Sequence, residues 1–363
     1  HIPAILAFIP YLTLQIKGMA YIFNVLTYGN IPYWLGAFIS FGIVVIYVAT
    51  SGVRGAAWSD VFQAILMLII AWVLGIYFVE KLHGGIGNMF ESITSSNSSF
   101  LIIGEEGSAM TKARYSSNII ISMIGFVMWP HLFTKSYTTT EKRIKTTVAV
   151  YPIFALFLLP VLFIGFSGIN VVSRDELDNA GQILPYLITN HLTESGLLYG
   201  IVGAGALAAA MSSSDAITHG ASVSFGRDIC KTLFNKMTEK TELWIMRVAV
   251  FLIGGISYIL AIFGSEGLIQ LLLGAYGPIA QLAPAVYASL FFKKANANAI
   301  IGGLVSGVII TIYFQYFSND GFLDLHPGIL GLFLNVTVCV LGSLFFKQSK
   351  AEKEKAKEFI NIE

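Results

Sequence analysis

Long runs of apolar residues, separated by short polar connections, repeat along the chain. A helix needs about 20 mostly apolar residues to cross the hydrocarbon core of a bilayer. Ten segments meet this length, so the pattern predicts an all-α polytopic membrane protein with one transmembrane domain over residues 1–346. The predicted spans are 3–27, 31–52, 57–80, 116–134, 146–171, 196–225, 246–264, 267–292, 297–317 and 327–346.

The basic residues predict an orientation for these spans, because lysine and arginine collect in the cytoplasmic connections of membrane proteins. Most of the 22 basic residues lie in alternate connections or in the charged segment 347–363. The basic connections are 53–56, 135–145, 227–247 and 293–294. We therefore expect a multi-pass protein of a bacterial or archaeal cell membrane, with both ends of this chain, including the tail 347–363, in the cytoplasm.

Composition agrees with a membrane protein and excludes other classes. Only 12% of the 363 residues are charged, 55% are hydrophobic, and the mean hydropathy is +0.73. A net charge of +1 and the lack of a basic nucleic-acid motif give no reason to expect a DNA or RNA partner. Cys230 and Cys339 have no metal-ligand spacing and are interpreted as small hydrophobic residues.

The first residues of the sequence are unusual for the start of a protein. The chain begins at His1 rather than at a methionine, and it is already apolar at Ile2. A signal peptide would begin with a charged segment. We therefore expect this chain to be part of a longer protein whose first helices precede residue 1.

Charged residues within the predicted spans are candidate functional groups, because ionisable side chains are costly in hydrocarbon. Asp215 lies in the sixth span, Asp60 begins the third, and Lys17 lies in the middle of the first. A structural role is an equally good interpretation for two of them. Asp60 fits a solvated helix start, and Lys17 fits a buried pair within the helix bundle.

Hydroxyl groups concentrate beside Asp215. Ser212 and Ser213 are adjacent, and the carbonyl of Ala209 lies one helical turn before Ser212. Hard cations such as sodium prefer hydroxyl and carbonyl oxygens. The alternative is packing: serines can donate to carbonyls of the preceding turn, and small residues allow helices to approach closely. The residues alone leave both interpretations open.

Helix-breaking residues occur in two other spans. The segment 271–287 contains two glycines and two prolines, including Pro278 and Pro284, and Pro130 lies near the end of the fourth span. Secondary transporters use discontinuous helices to expose backbone groups to substrate and ion. Because proline kinks are common in all membrane helices, this pattern favours transport only moderately.

Four segments carry a resemblance to a known family. "YVATSGVRGAAWSDVFQAILM" (47–67), "WPHLFTKSYTTTEKR" (129–143), "LAAAMSSSDAITHGASVSFGRDI" (207–229) and "QLAPAVYASLFFKK" (281–294) resemble regions of the sodium:solute symporter family in the same order. The resemblance implies a leucine-transporter-like fold of inverted five-helix repeats. Predicted spans one to eight then correspond to core helices three to ten, followed by two peripheral helices.

The same resemblance implies a sodium site and a solute site. Its main sodium ligands would be the Ala209 carbonyl and the hydroxyls of Ser212 and Ser213. Asp60 would serve a second sodium site or the ion exit path, and Asp215 the exit path. Family members with a second site carry hydroxyls at the positions of Asp215 and Ala216 here, which puts a second sodium in doubt.

For the solute, the resemblance implies a pocket to which Lys17, Phe126 and Gln281 would contribute. The predicted function is sodium-coupled symport of a small organic solute, a carboxylate or an amino acid, by alternating access. The pattern is similar to members that carry monocarboxylates, pantothenate or proline. The alternatives are a proton-coupled symporter of the same fold and a membrane sensory module. No catalytic residue is predicted, because no bond is made or broken.

Overall fold

A computed structural model describes residues 2–104, 110–136, 139–177, 179–192, 196–234, 237–318 and 322–360, without the side chains of some, such as residues 51–57. The regular elements in these ranges are all helical. The predicted basic connection at Arg54 lies outside the described side chains. The α-helices are α1 Ile2–Leu26, α2 Tyr33–His83, α3 Ile86–Asn97, α4 Lys112–Phe126, α5 Pro130–Ser136, α6 Glu141–Ala155, α7 Leu158–Ser167, α8 Ile183–His191, α9 Gly196–Val223, α10 Lys231–Leu233, α11 Glu239–Phe263, α12 Leu268–Ala280, α13 Leu282–Phe291, α14 Ala297–Tyr316, α15 Pro327–Phe345 and α16 Lys350–Ile360.

Shorter helical elements complete the described chain. A π-helix, Ser224–Cys230, continues α9. Four short 3₁₀-helices occupy connections between the longer elements: Ser98–Phe100, Arg174–Glu176, Ala180–Gln182 and Phe322–Asp324.

Nine segments of the described chain are long and apolar enough to cross a membrane. The predicted fourth span, 116–134, is not among them. Its residues form two helices, α4 and α5, separated at residues 127–129. Pro130 begins α5, a position where its missing N–H removes no helical hydrogen bond. The apolar pattern therefore located this segment, and the helix-breaking residue Pro130 lies at its discontinuity, as the sequence predicts.

A second difference concerns the predicted connection between the second and third spans. Helical backbone continues through residues 51–57, so that α2 extends over 51 residues. The hydrogen bond between the Tyr47 and Ser59 hydroxyls requires a sharp bend there, because these positions would lie about 18 Å apart on a straight helix. The apolar segments on either side, Tyr33–Thr50 and Trp58–His83, are each long enough to span a membrane. Glycine lowers helix propensity by only about 1 kcal/mol per residue, so Gly52 and Gly55 do not force a break.

Helices α12 and α13 show the discontinuity that the sequence predicts. Gln281 separates them, Pro278 lies inside α12, and Pro284 lies in the first turn of α13. The proline in α13 is tolerated because the first N–H groups of a helix have no partner within the helix. This break places Gln281 at a junction between two helices.

The described chain divides into two compact units. The larger unit contains residues 8–102 and 134–271, and the smaller contains residues 1–7, 103–133 and 272–363. In the larger unit, α2 packs against α7, α9 and α11. One apolar cluster of that unit consists of Ile70, Leu74, Phe78, Ile164, Leu187, Ile188 and Val202.

Small residues allow the helices to approach closely in both units. In the larger unit, a Cβ added to Gly75 of α2 would lie 2.7 Å from the Pro160 carbonyl oxygen of α7. In the smaller unit, a Cβ added to Gly307 of α14 would lie 2.9 Å from the Gly331 carbonyl oxygen of α15. A backbone atom stands at each place, so these positions have no room for a larger side chain.

Candidate sodium site

The candidate sodium site lies in the larger unit, where α2 and α9 pack together. A Cβ added to Gly205 of α9 would overlap the Cδ1 of Ile70 on α2. The absence of a side chain at Gly205 therefore lets the two helices come close. This contact places the polar residues that follow Gly205 on α9 beside the part of α2 that precedes Ile70.

Asp60 and Ser212 meet at this contact. The Ser212 Oγ donates a hydrogen bond to the Asp60 Oδ1 at 3.2 Å, although the two residues are 152 positions apart. Asp60 therefore faces another helix, and because α2 begins at Tyr33 it does not stand at a helix start, as one interpretation of the sequence expected. A carboxylate and a hydroxyl at one helix contact are both oxygen ligands of the kind that sodium requires.

The three consecutive serines have different environments. Ser214 is buried, and its Oγ donates to the Ala210 carbonyl at 2.7 Å, which is the ordinary back-bond of a helical serine. Ser212 donates across to α2 instead. Ser213 is half-buried. Ser214 thus fits the packing interpretation, and Ser212 fits the ligand interpretation.

The carbonyl of Ala209 remains within an unbroken helix, because α9 runs continuously from Gly196 to Val223. It is therefore not freed by a break in α9. A helical carbonyl oxygen still has a second lone pair, through which Ala209 can contribute to an oxygen site. Ala209, Ser212 and Ser213 lie within about one helical turn of each other.

A buried polar stripe continues along α9 beyond the serines. Asp215 is 3% exposed, and Thr218 and Ser222 are also buried. The Thr218 Oγ1 has no hydrogen-bond partner in the described part of the chain. Thr218 is not among the residues predicted from the sequence, although the spacing of residues 212, 215, 218 and 222 indicates that one face of the helix is polar.

A second hydroxyl pair lies beside Asp60 on α2. The hydroxyl groups of Tyr47 and Ser59 hydrogen bond to each other across residues 51–57 of the same helix. The Tyr47 hydroxyl therefore contacts the residue that directly precedes Asp60. Neither Tyr47 nor Ser59 is among the site residues predicted from the sequence. Serine and tyrosine are common near the ends of predicted spans, which here are residues 52 and 57.

The chemistry of the described ligands fits a monovalent cation better than a transition metal. Among the described residues, no group of three or more histidine, cysteine, aspartate or glutamate side chains could hold a metal ion. The site offers hydroxyl oxygens, a carbonyl and a carboxylate, which are hard ligands. In this respect it differs from a zinc or iron site.

Lys17 is buried within the larger unit and has well-defined partners. Its side chain is 4% exposed, and its Nζ donates to the carbonyls of Gly264 at 2.7 Å and Glu266 at 2.8 Å. Both carbonyls directly follow the end of α11. The last carbonyls of a helix lack partners within the helix, and a positive charge is favourable at this end. The sequence predicts an acidic side chain or a solute carboxylate as the partner of Lys17, whereas the partners in the fold are two backbone carbonyls.

Gln281 belongs to a buried polar network in the smaller unit. It is fully buried, and its Nε2 lies within hydrogen-bonding distance of the Gly277 carbonyl, the Gly328 carbonyl and the Thr311 Oγ1 at 3.0–3.2 Å. The Asn335 Nδ2 donates to both the carbonyl and the Oε1 of Gln281. This network joins α12, α13, α14 and α15. Phe126, at the end of α4, is 38% exposed.

His326 caps α15 within the same unit, just before the span. Its Nδ1 accepts a hydrogen bond from the Gly328 N–H at 2.9 Å, so the Nε2–H donates to the Leu273 carbonyl at 3.1 Å. Burial lowers the pKa of His326 to about 4. A proton on Nδ1 would remove the acceptor for Gly328, and the folded state therefore needs the neutral ring.

This geometry predicts an acid-sensitive contribution to stability. The folded pKa of His326 lies below the unfolded value of about 6.5, so its contribution is present above about pH 6.5 and is lost as pH falls towards 4. Each pH unit in this window removes about 1.4 kcal/mol. We expect the unfolding temperature of the wild type to fall between pH 7 and pH 5. The His326→Asn variant keeps a capping oxygen and should show a smaller fall. Equal slopes would contradict the assignment.

The fold and the buried polar groups together define a polytopic secondary transporter rather than an enzyme. The sequence profile of the Sodium:solute symporter family matches residues 2–307. The chain belongs to the sodium:solute symporter family. Sodium is accordingly its coupling ion, and the prediction of sodium-coupled symport is confirmed at the level of the family.

Individual relatives support the same assignment. The chain is 31% identical over 363 residues to the uncharacterized symporter YhjB of Bacillus subtilis, with 96% of this chain and 73% of that protein covered. It is 24% identical over 331 residues to the sodium/sialic acid symporter NanT of Aliivibrio fischeri, with 85% of this chain and 63% of that protein covered.

A solved structure supports the fold. The structure of a Na⁺-coupled sialic acid symporter in a substrate-bound outward-open state matches with a TM-score of 0.70 and 19% identity. The match covers 96% of this chain and 75% of that chain. The all-α, leucine-transporter-like fold expected from the sequence is therefore confirmed.

Proposed function

We propose that this symporter couples inward sodium movement to the uptake of a small organic solute that carries a carboxylate. Family membership supports the sodium-coupled part of this function. The carboxylate is supported by relatives from two bacteria, Aliivibrio fischeri and Proteus mirabilis, that are named sodium/sialic acid symporters. Sialic acid is a carboxylic acid, as are the monocarboxylates that the sequence analysis considered.

The observation that carries the proposal is the hydrogen bond between Ser212 and Asp60. The sequence analysis selected these residues separately, and the fold brings them to one contact between α2 and α9. We propose that sodium binds to the Ser212 and Ser213 hydroxyls and the Ala209 carbonyl. Asp60 then receives the ion on its way out, with Asp215 further along the exit path. Because Ser212 already contacts Asp60, the ion has to move only a short distance between the two sets of oxygens.

The three predicted solute residues have different surroundings in the fold. Lys17 uses two of its three N–H donors on carbonyls, so only one donor remains for a solute carboxylate. Gln281 is committed to a buried network, and Phe126 offers an exposed apolar ring. We propose that Phe126 contacts the solute, while Lys17 and Gln281 act mainly by holding the helices in place.

Topology and location complete the proposal. We propose that residues 1–346 form one transporter domain in the cell membrane and that both ends of this chain, including the tail 347–363, face the cytoplasm. The support is the collection of basic residues in alternate connections. Residues 361–363 of that tail lie outside the described part of the chain.

Uptake into proteoliposomes that contain the full-length protein tests the function. Labelled sialic acid, a small monocarboxylate, pantothenate and proline would be offered under an inward sodium gradient, with potassium in place of sodium as the control. We expect at least tenfold faster uptake of one carboxylate under the sodium gradient. Uptake that follows a proton gradient and ignores sodium would favour the proton-coupled alternative, for which Asp60 and Asp215 supply titratable groups.

A further inference from the structure

A long apolar groove lies on the surface of the smaller unit, between α13 and α15. Its cavity volume is about 520 Å³, and its walls include Ala283 and Tyr287 of α13 and Leu332, Val336 and Val340 of α15. Several of these side chains are exposed, including Tyr287 and Val340. Within the described part of the chain, the groove is therefore open on the surface of membrane-spanning helices.

The length of the groove matches one leaflet of a bilayer. Along α15 its walls extend from Leu332 to Leu344, which is about 18 Å at 1.5 Å per residue. One leaflet contributes about 15 Å of the hydrocarbon core. Along α13 the walls extend from Ala283 to Phe292 and then to Lys294. The walls follow α13 from near the middle of its span and α15 along most of its length, and both lead to the same end.

That end of the groove is positively charged. Lys294 belongs to the groove wall, and Lys293 precedes it in the connection between α13 and α14. Lys347, which follows α15, is brought to the same end because the Asn296 Nδ2 donates to its carbonyl at 3.2 Å. The Gln348 Nε2 donates to the carbonyls of Lys293 at 2.9 Å and Ala295 at 2.7 Å. These bonds hold the two basic segments side by side.

One acidic side chain near this end of the groove binds backbone N–H groups. Glu352, at the start of α16, accepts hydrogen bonds from the backbone N–H groups of Ala297 at 2.8 Å and Ser349 at 2.5 Å. Its Oε1 thus binds the start of α14, which follows Lys293 and Lys294, and its Oε2 binds the segment that follows Lys347. Glu354, two residues further along α16, lies among Lys350, Lys353, Lys355 and Lys357.

We propose that this groove binds an anionic phospholipid, with an acyl chain along α13 and α15 and the phosphate beside Lys294. The apolar walls suit the acyl chain, which would pack along them by van der Waals contact as it does against neighbouring lipids. The lysines suit the phosphate, and basic pockets between membrane helices recognise anionic headgroups in this way. By the distribution of basic residues, the lipid belongs to the cytoplasmic leaflet. A free phosphate ion would not occupy the apolar walls, and a neutral lipid would not use the lysines.

Native mass spectrometry of the purified full-length protein tests this site. The protein would be titrated with dioleoyl phosphatidylglycerol and, separately, with dioleoyl phosphatidylcholine. Two variants address the two halves of the site: Lys294→Gln removes one charge at the headgroup end, and Ala288→Phe fills the groove. The matched controls are Lys142→Gln, an exposed lysine of α6, and Ala204→Phe, an exposed alanine of α9.

We expect the wild type to prefer phosphatidylglycerol. One lysine near a membrane surface contributes about 1 kcal/mol, so Lys294→Gln should weaken this preference about fivefold, and Ala288→Phe should reduce tight binding of both lipids. The two controls should behave as the wild type. Binding without a headgroup preference, no difference between the groove variants and their controls, or a dimer that excludes lipid would each overturn the proposal. Thermal unfolding of every variant verifies that the protein is folded.

Discussion

Replacing both Ser212 and Ser213 with alanine in the full-length protein is expected to raise the sodium concentration for half-maximal uptake by at least tenfold. Each substitution removes one hydroxyl oxygen from the proposed ion site and leaves the helix apolar and intact. Hydrogen bonds to charged groups contribute about 1.5–3 kcal/mol, and we use this range for a hydroxyl that binds a cation. Because about 1.4 kcal/mol corresponds to a tenfold change in affinity, loss of even one ligand would be measurable.

The third serine supplies the control. Ser214→Ala removes a neighbouring hydroxyl of the same size, but the Ser214 Oγ donates to the Ala210 carbonyl within its own helix. We expect its sodium dependence to be close to that of the wild type. Uptake would be measured against sodium concentration for both variants, together with the amount of folded protein in the membrane. A double alanine variant with unchanged sodium dependence would show that the ion binds elsewhere.

The contact between Ser212 and Asp60 makes the same experiment more specific. If Asp60 receives the ion from the serines, Asp60→Asn should slow sodium-coupled uptake, and its effect should not add to that of Ser212→Ala. Residues in direct contact commonly show coupling energies of about 0.5–3 kcal/mol. Fully additive effects in the double variant would instead indicate that the hydrogen bond is structural and that Asp60 acts independently.

Much of the fold could be predicted because apolar length is a local property. The spans 3–27, 297–317 and 327–346 coincide closely with α1, α14 and α15. The local sequence was a poorer guide to where a helix continues or breaks, because tertiary packing also decides this. Apolar length alone did not divide the segment 116–134, because hydropathy does not depend on backbone continuity, and Pro130 was the local signal of that division. Likewise, the glycines near Arg54 resemble a connection, but glycine only weakens a helix.

In the candidate sodium site, too, some residues could be predicted from the sequence and the contacts between them could not. Ser212 and Asp60 could be selected from the sequence because hydroxyl and carboxylate groups are rare in apolar spans and because both lie in segments that resemble the family. Their hydrogen bond could not be predicted, since it joins residues 152 positions apart. Thr218 was missed for a related reason. A single threonine in a helix usually donates to its own backbone, and only the fold reveals a buried Oγ1 without such a partner among the described residues.

Gln281 illustrates the opposite case, in which resemblance selects a residue and the fold gives it another environment. Its amide is surrounded by the carbonyls of two helices and by Thr311 and Asn335. A buried amide that has satisfied hydrogen bonds holds the surrounding helices in one arrangement. Its removal would leave several buried polar groups without partners, so Gln281 matters for the integrity of the smaller unit whether or not a solute approaches it.

Lys17→Met is expected to destabilise the folded protein while leaving the affinity of the folded fraction for its solute nearly unchanged. Methionine keeps the approximate length of lysine and removes its charge and its donors. The carbonyls of Gly264 and Glu266 would each lose a charged hydrogen-bond partner at the end of α11, a loss of about 1.5–3 kcal/mol per bond. Relief from burying an ammonium group offsets part of this loss, so we expect a net fall of a few degrees in the unfolding temperature.

The matched control is Thr13→Val, one turn earlier on α1. Thr13 is also buried, but its hydroxyl donates to the Ile9 carbonyl of its own helix at 2.8 Å, so valine should change stability much less. Thermal unfolding and the solute concentration for half-maximal uptake would be measured for both variants. A strong rise in that concentration at normal stability would mean that the third donor of Lys17 binds the solute carboxylate. In that case the end of α11 would form part of the solute pocket, because the same ammonium group contacts both.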